Sequence, residues 1–140
     1  MKPTLLYRIA AGLLLLFAVS HTMGLLTEPP SPDAGVARAA MNNVHFQFMG
    51  ADCTYGRFFV GFGLLLTAYL LFSAFLALHL GGLARENPEA IGALGWAFFM
   101  VQLVNLALSW MFFFIAPVAV SALVAACLGW AAWLVKGPKV

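Results

Sequence analysis

The chain has 140 residues, 64% of them hydrophobic and only 9% charged, with a net charge of +2 and a mean hydropathy of +0.97. Soluble domains average about 45–50% apolar and about 25% charged residues, so a chain this short and this apolar needs lipid as its solvent. The charge is too sparse for a nucleic-acid surface, and two cysteines, Cys53 and Cys127, do not make a disulfide framework.

A hydrocarbon core about 30 Å thick takes about 20 residues of apolar helix. Four segments meet that requirement, over about residues 4–26, 58–80, 91–115 and 118–135. In the first, Lys2 and Arg8 precede the run IAAGLLLLFAV, as in a signal peptide. SHTMGLL follows where a small-x-small cleavage site would stand, so the segment is read as a retained span. EPPSPD closes it. Gly81-Gly82 and ARENPE are read as closing the second span, with Asn87-Pro88 opening the third. A single helix through residues 91–135 would measure about 68 Å, too long for one crossing, so a turn at Ala116-Pro117 is expected.

Between the first two spans lies a loop with its own helix signal. Ser31 suits an N-cap, Pro32 the first helical position, and Asp33 the positive end of the helix dipole. Val36, Ala40, Val44 and Phe48 recur at spacing four, beside a stripe of Met41, His45 and Met49. This predicts a short amphipathic helix over about residues 32–49 on the outer face, ended by Gly50. The expected fold is thus an all-α membrane protein: a single domain, residues 1–140, in which four transmembrane helices bundle and a short outer-face helix joins spans 1 and 2.

Lysine and arginine set the expected orientation. Lys2, Arg8, Arg85, Lys136 and Lys139 fall on one side, and Arg38 and Arg57 on the other. Five against two places both termini in the cytoplasm and the loop outside. HTMG late in the first span, FxFMG in the loop and YGRFFVGFGLLLT opening the second resemble a bacterial family of small four-span membrane proteins. The resemblance implies a four-helix membrane fold in a bacterial inner membrane and brings no catalytic residues with it.

Several polar residues are expected to converge at the outer half: His21, His45 and Arg57, with Asn105 and the deeper Gln102 from the third span. Bundles build binding sites between facing helices in this way. The same groups also serve as interhelical glue. Asp52 is read as a helix-entry cap or an ion-pair partner of Arg57, itself a headgroup anchor.

Soft metal ligation is a second reading. Met41, His45 and Met49 would share one helix face, and His21 and Cys53 complete a set suited to copper(I). For haem, His21 and His79 should lie almost a membrane apart, which leaves only His21 with His45. No Asp or Glu lies within a span, so an enzyme would rest on Cys53 with His45 as its base. Cys127 and the span glycines, Gly61 and Gly63 among them, read as close-packing positions.

The leading expectation is a non-enzymatic protein whose first partner is the bilayer. Its outer half would bind a lipid-like or apolar small molecule, or a partner membrane subunit. The rivals are a copper or haem redox subunit and a small membrane enzyme. Four spans are also compatible with a homo-oligomer.

Overall fold

Among the described residues, four helices are long and apolar enough to cross a membrane. In a computed structural model, which describes residues 2–27 and 31–135, they are α1 (Pro3–Leu26), α3 (Tyr55–Glu86), α4 (Gly92–Phe112) and α5 (Ile115–Val135). A short helix, α2 (Pro32–Asn43), stands between the first two. The protein is an all-α integral membrane protein, with one small hairpin among the described residues. Glu28 of the first breaker, and Lys136 and Lys139 of the charge count, lie outside the described residues.

The chain forms two compact units. One takes in α1 as far as Phe17 and the chain from Leu70 onward; the other is Ala18–Tyr69.

In the first unit, parts of α1 and α3 pack with α4 and α5. Its core mixes small residues, Ala10 and Ala11 from α1 with Ala74 and Ala77 from α3, with the larger Tyr7, Leu14 and Phe98. Without a hydrophobic drive between helices in lipid, close backbone approach does the work, and small residues permit it. Gly81 shows this. A Cβ there would stand 3.3 Å from the Cβ of Tyr7 and 3.5 Å from the Thr4 carbonyl oxygen. Gly81 and Gly82 therefore do not break the second span, which runs from Tyr55 to Glu86 instead of stopping near residue 80. Gly95 is enclosed on three sides. Its Cβ would meet Ile91 at 2.9 Å, the Tyr7 hydroxyl at 3.0 Å and Ala132 at 3.8 Å.

After α3 a 3-10 turn, Pro88–Ile91, leads through Gly92 at φ +46° into α4. Helix α4 ends at Phe112, and the break falls at residues 113–114, a little before the expected turn at Ala116-Pro117. Pro117 is the third residue of α5. A first-turn N–H has no intrahelical acceptor, so its absence in proline loses nothing there.

The second unit holds the largest departure from the sequence reading. Ser31 caps α2 as expected, accepting the Ala34 N–H, and Pro32 opens it. The helix then stops at Asn43 instead of continuing to Met49. Residues 45–54 form an antiparallel hairpin, β1 (His45–Phe48) and β2 (Ala51–Thr54). Met49 (φ +52°) and Gly50 (φ +83°) make its two-residue loop, the positive-φ pattern of a type I′ turn. Alternation explains the change: HFQF sends Phe46 and Phe48 to one face and His45 and Gln47 to the other, and the aromatic face is held by Tyr55 and Phe58 of α3. The Phe46 ring lies 4.8 Å from Tyr55 and 6.0 Å from Phe58.

Candidate functional site

Helix α2 is turned over relative to expectation. Its half-buried side chains are Ala34, Arg38 and Met41, at i, i+4 and i+7. The Val36–Ala40 stripe faces away, with Val36 70% exposed, while Met41 of the adjoining stripe turns inward. The reason is Arg38. The last carbonyls of α1 lack intrahelical donors, and no basic residue stands in that helix's own last turn. The Arg38 guanidinium supplies both needs from α2, donating to the carbonyls of Thr27 at 2.6 Å and Leu25 at 3.0 Å.

Between the end of α1, helix α2 and the first turns of α3 lies a cleft of about 540 Å³. Leu25, Met41, Phe59 and Val60 supply apolar lining, and Arg38 and Asn42 polar lining. Gly56 is fixed by contact here: the Asn42 amide occupies the place a Cβ would take.

The start of α3 is capped by Thr54, buried, whose hydroxyl accepts the Arg57 N–H at 3.2 Å. This is the role expected of Asp52. The Asp52 carboxylate instead meets His45 Nδ1 at 2.7 Å, with both side chains more than half exposed. Arg57 donates to the Asp52 backbone carbonyl at 3.4 Å, so its side chain reads the main chain and not the carboxylate. Thr54→Ala is expected to cost about 1 kcal/mol. Faster amide exchange at Gly56 and Arg57, with the lower half of α3 unchanged, would show that the loss is local.

His21 joins two helices. Its Nε2–H donates to the Gly63 carbonyl at 3.1 Å, since a carbonyl can only accept. Thr67 also donates to that carbonyl at 3.2 Å. Thr22 bonds the Ala18 carbonyl at 2.8 Å and meets Thr67 at 2.9 Å. Two hydroxyl protons thus serve three contacts, and His21 is the dedicated donor to Gly63. Leu25 lies over Gly63, where a Cβ would sit 2.6 Å from it. Gly61 faces open space.

In the other unit, Gln102 is fully buried on α4. One turn on, Asn105 donates to the Ser121 hydroxyl at 3.3 Å, and Ser109 meets the same hydroxyl at 3.4 Å. These bonds tie α4 to α5, each worth about 0.6–1.7 kcal/mol in lipid.

Of the residues singled out from sequence, His21, His45 and Arg57 fall in one unit and Gln102 and Asn105 in the other. None of the five lines the cleft; Met41 alone among the metal candidates does. The helical stripe of Met41, His45 and Met49 does not form, because residues 45 and 49 lie in the hairpin. Cys53 pairs with Phe46 and His45 with Thr54, so Cys53 and His45 point to opposite faces of the hairpin. Among the described residues no group of three or more His, Cys, Asp or Glu side chains gathers around a metal-sized space. Arg38 and Thr54 carried no site assignment in the sequence, whereas Asn42, read there among the polar groups of the outer end, does line the cleft. Arg38 had one signal: it is the one cation on α2.

No family model, curated protein or solved structure matches the chain.

Proposed function

We propose that this integral membrane protein holds a lipid-like or apolar small molecule in the cleft of its Ala18–Tyr69 unit, without chemistry on it. The observation that carries this reading is the cleft's mixed lining. Its volume falls in the range of small-molecule sites, about 300–1,000 Å³. Leu25, Phe59 and Val60 suit an acyl or prenyl chain. Arg38 spends two of its five guanidinium N–H donors on α1 and keeps the rest for a polar head. The setting we infer is a bacterial inner membrane, supported by the resemblance of HTMG, FxFMG and YGRFFVGFGLLLT. The lysine and arginine balance supports cytoplasmic termini with the loop of residues 27–57 outside.

The test is native mass spectrometry of protein released from its own membranes in mild detergent. Wild type should retain one lipid-sized adduct. Val60→Trp and Ala34→Trp, which fill the cleft from different helices, should lose it severalfold. A wild type free of adduct but bound to another membrane protein would replace the ligand reading with a subunit role. An adduct retained by both tryptophan variants would move the ligand elsewhere.

A further inference from the structure

The β1–β2 hairpin has two unlike faces. Register places His45, Gln47, Asp52 and Thr54 on one, and Phe46, Phe48, Ala51 and Cys53 on the other. The first face is polar, with the His45–Asp52 pair on it. The second is apolar and continues directly into α3. Phe46 lies tilted against Phe58 at 6.0 Å, and Phe58 lies 6.4 Å from Phe62 one turn below. Phe59, Phe62 and Leu65 are exposed on α3, whose apolar length requires lipid around it. The aromatic ladder thus runs without interruption from a membrane-facing helix surface onto the hairpin.

The tip adds an independent observation. Met49 is 93% exposed and sits at φ +52°, where asparagine or glycine is favoured and a methionine side chain is not. It makes no use of its side chain within the protein. Phe48 beside it is 56% exposed.

Two limits fix where such a hairpin can rest. A two-stranded sheet has two open edges of backbone N–H and C=O groups, which hydrocarbon cannot satisfy. Its Phe48–Met49 end and apolar face are equally unsuited to bulk water. Only the headgroup zone offers hydrogen bonds to the edges and an acyl boundary to the aromatic face. We propose that the hairpin is a membrane-interface anchor, laid with its Phe46–Phe48–Cys53 face on the lipid and its His45–Asp52 face toward water. The occupant of its apolar face is phospholipid at headgroup depth. The proposal is independent of the cleft: a hairpin on lipid needs no bound ligand.

Spin labels on the full chain in phospholipid nanodiscs test it, in a background of Cys53→Ala and Cys127→Ala. Labels at Phe48→Cys and Ala51→Cys report one face, and labels at Gln47→Cys and Asp52→Cys the other. Collision with oxygen relative to a water-soluble nickel chelate should alternate with period two, severalfold higher at positions 48 and 51 than at 47 and 52. Equal exposure of all four to the nickel reagent would overturn the proposal in favour of a solvated loop. Protection of positions 48 and 51 from both reagents would overturn it in favour of a protein partner. Ala51 keeps the test alive if labelling Phe48 disturbs the fold, because it reports the same face through a smaller change.

Discussion

Replacing Tyr7 by alanine is expected to be the most damaging single change outside the glycines. Tyr7 is 0% exposed, stands against Gly81 of α3 and reaches with its hydroxyl to Gly95 of α4. It thus stands between two glycines, its Cβ against Gly81 and its hydroxyl against Gly95. In lipid the loss is one of van der Waals contact and residual cavity, about 3 kcal/mol by analogy with buried aromatic truncations. The informative control is Tyr7→Phe. The hydroxyl has no hydrogen-bond partner among the described residues. Removing a buried group that makes no bond relieves a desolvation cost, so phenylalanine should be neutral or stabilising. Unfolding by SDS in mixed micelles separates the two. Should Tyr7→Phe destabilise as much as Tyr7→Ala, the hydroxyl would have to be making a bond, and the packing account of this position would fall.

Arg38→Ala is expected to cost about 2 kcal/mol, the net value of charge-assisted bonds to otherwise unserved carbonyls. The loss should appear in the last turn of α1 and throughout α2, because Arg38 is what holds the inward side of α2 against the carbonyls of Leu25 and Thr27. Hydrogen exchange resolves this by position. Lysine tests the geometry: a single ammonium lacks the planar fork that reaches both carbonyls, so Arg38→Lys should recover about half of the loss. Full recovery by lysine would mean that charge near the helix end suffices and that the two bonds do not matter individually. The same variant should weaken retention of any ligand whose head sits on Arg38, whereas Thr54→Ala should not.

The spans were legible because lipid leaves so strong a mark on composition. Four apolar runs, the Ser31 cap and the Pro32 start needed nothing beyond the chain itself. The hairpin was not legible, for a definite reason. Residues four apart share a face in a helix and also in a strand, so the spacing Val44–Phe48 or His45–Met49 cannot separate the two. What decided between them was the pairing of Phe46 with Tyr55 and Phe58, and ring contacts of that kind are tertiary. Gly81-Gly82 misled in a similar way. Glycine pairs punctuate soluble chains, but in this protein Gly81 lets the start of α1 cross α3 at backbone distance. The polar residues Gln102 and Asn105 were rightly placed on α4, yet whether an amide serves a ligand or a neighbour depends on what faces it. Ser121, sixteen positions after Asn105, was the missing partner. The cleft depended on the unexpected orientation of α2, which Arg38 determines through main-chain carbonyls that no sequence pattern displays.

The turn between α4 and α5 has a consequence for biogenesis. From Ala90 to Val135 the sequence contains no charged residue, and the helix is interrupted only around Phe113 and Phe114. Each lysine, arginine or aspartate placed mid-membrane adds about 2.5–3.5 kcal/mol to insertion. This pair incurs none of that. It can enter as one preformed helical hairpin, pushing two aromatic residues ahead of it and transferring no charge, with both ends left on the side from which it came. Such a hairpin carries no orientation signal within itself. The lysines and arginines that bear on which way the chain faces all lie outside this pair, before Ala90 and after Val135.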